Sequence, residues 1–153
     1  MTVAIPTIAV FPDERLTLDQ KIEKWVWRYC RSLEENYKQH SIRMYERGDS
    51  DYSKKQLENV NNGTANLMKF RMEFGRKYIK IISQEYDTFQ DRNVYKDGGV
   101  HAFVDRKTGE VYKPASWKSP AKIVRYDLRI ISDREKLHDP HYTGWAGGYL
   151  YLR

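Results

Sequence analysis

Cysteine is nearly missing from this chain: Cys30 is the single example among 153 residues. One thiol excludes an internal disulfide and a zinc site built on cysteines. Cys30 falls in a stretch of helical periodicity, where a buried, unreactive thiol is expected. Long hydrophobic runs are missing as well. Nothing approaches the ~18 apolar residues of a membrane span, so no membrane partner is expected. The apolar start, Thr2-Val-Ala-Ile-Pro-Thr-Ile-Ala-Val-Phe11, lacks a basic segment, carries Pro6 and runs into Asp13-Glu-Arg15. A cleaved leader is therefore not expected, and a cytoplasmic setting is. There is no phosphate-binding Gly-x-x-x-x-Gly-Lys loop and no Gly-x-Gly-x-x-Gly turn. A nucleophile with a plausible base cannot be assembled either. A non-enzymatic protein with no cofactor is the expectation.

Charge of one sign is also missing locally. Between Glu110 and Asp127 there is no acidic residue. The net charge of +6 is uneven along the chain. Residues 1–62 hold 10 basic and 10 acidic side chains, whereas residues 63–153 hold 17 and 11. The whole excess belongs to the second part, which points to an anionic partner for that part.

Local patterns divide the chain in the same place. Thr17-Leu-Asp-Gln20 reads as a capping box, a hydroxyl followed three residues later by a glutamine. Leu18, Ile22, Trp25, Val26, Tyr29, Leu33 and Tyr37 follow at steps of three and four, which predicts a long amphipathic helix reaching about Glu46, with Gly48 as its stop. Trp27 lies off that stripe and suggests a second contact face. A shorter helix is expected from Ser50 or Ser53 to about Gly63. After Gly63 the period changes to two. Met68, Phe70, Met72 and Phe74 alternate with charged residues, and Lys77-Tyr-Ile-Lys-Ile-Ile-Ser83 reads as a second strand. Residues 85–99 read as a polar loop. Strands at 100–105 and 110–113 are joined by Arg106-Lys-Thr-Gly109, a hairpin turn with Gly109 in the left-handed position. Ser119-Pro120 reads as a helix cap, giving a helical turn over 121–125, then a strand at 126–131 and a short helix or turn at 132–137. The Gly-rich aromatic tail is expected to dock on the core or on another subunit. The expectation is an α+β chain: N-terminal amphipathic helices over 1–62, then a basic antiparallel sheet with short helices over 63–153, the two able to pack as one domain.

Residues 112–126 combine Lys113, Lys118, Lys122 and Arg125 with Tyr112, Trp117 and Tyr126, stiffened by Pro114 and Pro120. Cations attract phosphates and flat rings stack on unpaired bases. Gly75-Arg-Lys-Tyr-Ile-Lys80 adds Arg76, Lys77, Tyr78 and Lys80. The expected ligand is single-stranded RNA or DNA, with Tyr78, Phe103 and Trp117 as stacking residues. Against this stands the plain reading in which Tyr78 and Trp117 pack inside and the cations are solvated. His138-Asp-Pro-His141 could hold a metal, but Pro140 spoils the aim of the two rings, and a solvated loop is expected. Asp87, Asp91, Asp97 and Asp105 match no nuclease spacing.

Gly75-Arg-Lys-Tyr-Ile-Lys-Ile81 and the run Val100-His-Ala-Phe-Val-Asp-Arg-Lys-Thr-Gly-Glu-Val-Tyr-Lys-Pro-Ala-Ser-Trp-Lys-Ser-Pro-Ala-Lys122 resemble a family of small basic proteins of tailed bacteriophages. The resemblance covers residues 67–131. A more distant likeness is to the chimallin C family, RNA-binding proteins of nucleus-forming jumbo phages with a Whirly-like fold. Together these imply a phage protein acting in the infected cell's cytoplasm, binding RNA more than DNA as a homo-oligomer. The rival expectations are a virion or assembly protein and an inhibitor of a host enzyme or defence system.

Overall fold

Thr17 starts the long helix as its neighbours require. In the computed structural model, which describes residues 5–152, the Thr17 hydroxyl accepts the Gln20 N–H at 3.3 Å and Gln20 Oε1 accepts the Thr17 N–H at 3.0 Å. A four-residue helix α1 (Thr7–Val10) precedes this cap, and α2 (Leu18–Glu46) follows it. The first residues of the apolar arm lie outside the described residues. The stripe Ile22, Trp25, Val26, Tyr29 and Leu33 is buried, Cys30 with it. Helix α3 (Asp51–Asn62) begins at the Ser50 cap and ends at Gly63, whose φ is 75°. Between the two helices, a Cβ on Gly48 would lie 2.1 Å from Ser53 Oγ, so no larger residue fits that turn unchanged.

Five strands follow: β1 (Lys69–Phe74), β2 (Tyr78–Asp87), β3 (Val94–Asp105), β4 (Glu110–Pro114) and β5 (Pro120–Asp127). They form one antiparallel meander in chain order. Helix α4 (Ile131–Leu137) and the tail complete the chain. Gly109 closes the β3–β4 turn with φ 76°, its N–H donating to the Asp105 carbonyl at 2.9 Å. The fold is α+β, as the patterns predict.

Two local expectations are corrected. Residues 85–99 are not a loop. β2 and β3 pair as far as Asp87 and Val94, and only 88–93 turn between them. The polar composition there belongs to a two-stranded arm with little core to bury. Residues 120–127 form one strand, so 121–125 are not helix and the strand expected at 126–131 stops at Asp127, with 128–130 turning into α4 at Ile131. Ser119 is occupied in the β4–β5 tip, bonded to Ser116 Oγ at 3.1 Å, and Pro120 opens an edge strand opposite Pro114. Proline is tolerated at the first residue of an edge strand, so the Ser-Pro pair does not decide between the two structures.

One hydrophobic core joins the two parts of the chain. Ile22, Val26, Tyr29 and Leu33 of α2 pack against Phe70, Ile79, Ile81, Ala102, Val104 and Val111 of the sheet, with Leu137 and Leu150 beside them. The tail is held to α2 by polar contacts as well. Asn36 Nδ2 donates to the Pro140 carbonyl at 2.8 Å, and Asn36 Oδ1 accepts the Trp145 N–H at 2.9 Å. Ser32 and Thr143 hydroxyls meet at 2.9 Å. Helices and tail thus lie on one face of the sheet. Trp27 has its own contact, the Arg31 guanidinium 5.3 Å from its ring.

Candidate nucleic-acid interface

Alternation along β2, β3 and β4 sends Ile79, Ile81, Val104 and Val111 into the core and their neighbours to the opposite face. Lys80 pairs with Phe103, and Phe103 with Tyr112, so these residues share that outer face. Tyr78 joins them, its ring 5.7 Å from Phe103 and 6.1 Å from Tyr112, both edge-to-face. Such pairs are favourable beyond their buried area. Lys77 Nζ lies 5.3 Å from the Tyr78 ring and Lys80 Nζ 5.7 Å from Phe103.

Phe103 does not offer a free face. It is 1% exposed, covered by Tyr78 and Lys80, and acts as the floor of the group. Tyr78 and Tyr112 are half-buried. Tyr112, expected only as part of the basic and aromatic run, thus shares the outer face with Tyr78 and Phe103. Its alternation with Val111 is the sequence signal for that placement.

The cations around this face differ in how far they are free. Arg71 makes a two-pronged bond to Asp97, at 2.9 and 2.7 Å, and a third contact to Glu73 at 3.2 Å. The guanidinium holds the Asp97 carboxyl down to about 2. Lys80 lies 4.0 Å from Glu73. This side of the face is internally neutralised. The β1–β2 turn is different. Arg106 donates its N–H to the Lys77 carbonyl at 2.9 Å and Nη1 to the Gly75 carbonyl at 2.8 Å, joining this turn to the β3–β4 turn. Arg76, Lys77, Arg106 and Lys107 are thereby gathered at one end of the sheet. Arg76, Lys77 and Lys107 enter no ion pair among the described residues. In the sequence Arg106 and Lys107 fall in a hairpin turn, where nothing local marks them as part of a cationic group.

At the other end, Ala115 and Ser116 N–H groups donate to the Ser119 carbonyl, and Ser116 Oγ accepts the Lys118 and Ser119 N–H groups. This tight tip holds Trp117 outward, 47% exposed, next to exposed Lys118. Lys122 is exposed on the following strand.

Lys113 and Arg125 do not join the group. Lys113 Nζ lies 4.7 Å from the Tyr151 ring, on the side of the tail. Arg125 donates to the Leu150 carbonyl at 2.7 Å and to the Ile123 carbonyl at 2.6 Å, so its fork fixes the tail and the sheet edge.

The other expectations also resolve into structure. Asp87 caps the Phe89 N–H and pairs with Arg92, and Asp105 accepts the Lys107 and Thr108 N–H groups. His138 is not in a solvated loop: it is half-buried, its Nε2 2.9 Å from the Trp25 carbonyl. Among the described residues no group of three His, Cys, Asp or Glu could hold a metal. No helix among them is long and apolar enough to cross a membrane.

No curated protein and no solved structure matches the chain. Residues 10–152 match the model of a family of unknown function, DUF7717, and the chain belongs to that family.

Proposed function

We propose that this protein binds single-stranded nucleic acid on the outer face of its sheet, RNA being the form that the sequence resemblance favours. The observation that carries the reading is the Tyr78–Phe103–Tyr112 group on the face opposite α2. An antiparallel sheet with helices on one face and aromatics with cations on the other presents stacking surfaces and phosphate contacts together. The uncommitted Arg76, Lys77 and Lys107 at one end, with Trp117, Lys118 and Lys122 at the other, extend the strand's path along the sheet. The Arg71–Asp97 pair limits the charge at the β1 side, which directs the path over β2, β3 and β4.

The test is fluorescence anisotropy with labelled single-stranded RNA, single-stranded DNA and duplex DNA at two salt concentrations. Single strands are expected to bind, more weakly at high salt. Tyr112→Ala is expected to cost about 1–3 kcal/mol of binding. The reading is abandoned if single strands fail to bind at low salt, or if Tyr78→Ala and Tyr112→Ala both bind as the parent does.

A further inference from the structure

On the helix side of the sheet, a chain of three polar rings has a proton order that its surroundings dictate. Tyr29 is fully buried, and among the described residues its hydroxyl has one partner, the hydroxyl of Tyr149. The Tyr149 hydroxyl in turn lies 2.7 Å from His101 Nε2. If Nε2 carried the proton, the donors would run towards Tyr29, and the Tyr29 hydrogen would end in the core with no acceptor. A buried donor left unmade costs about 1–3 kcal/mol. The favoured order is the reverse: Tyr29 donates to Tyr149, and Tyr149 donates to Nε2. The imidazole is neutral, since burial pushes it down to about 4. Its one proton therefore sits on Nδ1.

That Nδ1–H has no hydrogen-bond partner among the described residues, and it is not sealed from solvent. His101 instead lines a cleft of about 650 Å³ between the tail and strands β2 to β4. Two successive irregularities in the β2–β3 register make the opening: the strands shift between Ile81 and Ile82 and again before Gln84. The second leaves Gly98 and Gly99 opposite Ser83, whose hydroxyl accepts the Gly99 N–H at 3.1 Å. The cleft also presents Lys113, Glu85 and the rings of Trp145 and Tyr151. It thus offers a neutral donor, a cation, a carboxylate and flat apolar walls.

We infer that this cleft binds a mononucleotide whose base carries an exocyclic amine. A ring acceptor of the base meets the His101 Nδ1–H, the amine meets Glu85, the ring lies against Tyr151 or Trp145, and the phosphate meets Lys113. A bare phosphate would satisfy only the lysine, and an uncharged ring would leave it unmatched. The site lies on the opposite face from the strand-binding surface and does not depend on it.

The experiment is an NMR titration of the whole chain, following the His101 ring nitrogens and the Tyr151 ring, with AMP, CMP, GMP, UMP and inorganic phosphate. The free protein is expected to show the Nδ1–H form of His101. AMP, CMP and GMP are expected to give saturable shifts. UMP, whose base has no amine, should bind about tenfold more weakly, the loss of about one hydrogen bond. Phosphate at matched concentration should move neither ring. Lys113→Ala, at a partly exposed position outside the core, should weaken all nucleotides, and Tyr112→Ala should leave them unchanged. No saturable shift with any nucleotide overturns the inference, as do equal binding of UMP and AMP and unchanged binding in Lys113→Ala. Binding of AMP without binding of RNA strands would leave this site standing and remove the outer-face reading; the opposite result would do the reverse.

Discussion

Glu34 accepts the backbone N–H of Phe70 at 2.9 Å, as a neighbouring strand would. Arg31, one turn earlier on α2, donates to the Phe70 carbonyl at 3.1 Å and pairs with Glu34 at 3.0 Å. Phe70 lies on β1, an edge of the sheet. The ion pair therefore stands in for a missing strand at that position. At the other edge, Arg125 covers the Ile123 carbonyl. Both edges are blunted where an added strand would pair, so edge-to-edge association is a poor route to an oligomer.

Glu34→Ala leaves the Phe70 N–H and the Arg31 charge without their acceptor in a largely desolvated place. The expected loss is about 2–4 kcal/mol, read as a lower urea midpoint. Glu34→Gln keeps an acceptor and should lose less. Equal losses would show that the bond to Phe70 contributes nothing of its own.

Stability should fall in mildly acidic solution because of two histidines. Burial pushes His101 and His138 down to about 4 from the usual 6.5. The folded protein keeps both rings neutral, while the unfolded chain takes up protons below about pH 6.5. Stability is therefore complete above pH 6.5 and declines as pH falls towards 4, by on the order of 3 kcal/mol for each ring. Urea midpoints at pH 7.5, 5.5 and 4.5 measure this. His138→Phe should flatten the profile, and a flat profile in the parent protein would contradict the account.

Gly109→Ala should destabilise the β3–β4 turn. The new Cβ would meet Leu128 at 3.4 Å and Ile22 at 3.5 Å in ordinary contact, but it would occupy a left-handed backbone, with φ 76°. A cost of about 1–2 kcal/mol is expected in thermal or urea unfolding. An unchanged midpoint would mean that the turn relaxes without strain.

Asn36→Ala removes two of the bonds from α2 to the tail, those to Pro140 and Trp145. The helix and sheet core should persist while the segment after Pro140 becomes open to proteases, which limited proteolysis followed by mass spectrometry would reveal. Cleavage at parent rates would show that Thr143, Tyr149 and Leu150 hold the tail without Asn36.

Trp117→Ala should weaken strand binding with little effect on the urea midpoint, because the ring is half in solvent at the hairpin tip. A large loss of stability would show instead that the ring anchors the tip.

What could be read from the sequence was what short range decides. The Thr17 cap, the α2 stripe from Ile22 to Leu33, the Gly63 stop and the Gly109 turn each depend on residues within a few positions and are found, although Leu18 at the start of the stripe is exposed. The failures depend on distant partners. Ser119-Pro120 looked like a helix start until β4 supplied a neighbour for Pro120. Phe103 looked available because its strand position is outward, and only Tyr78 and Lys80 from β2 cover it. The partner of Arg71 is Asp97, in the segment expected to be a loop, so their ion pair is not legible from the local pattern. Arg125 sat among phosphate-seeking residues, but its partner is the Leu150 carbonyl, 25 residues away.

The ties between α2 and the tail set a timetable for folding. Tyr29, Ser32 and Asn36 find their partners 120, 111 and 104 to 109 residues later, at Tyr149, Thr143, Pro140 and Trp145. During synthesis, α2 leaves the ribosome well before the tail, with its polar groups unmatched and its apolar stripe uncovered. The sheet can cover part of the stripe, but the hydroxyl of Tyr29 waits for Tyr149, 120 residues later. Contacts of such long separation form slowly. Chains halted before Tyr149 are therefore expected to keep a protease-sensitive α2, and the first helix to form is among the last elements to settle.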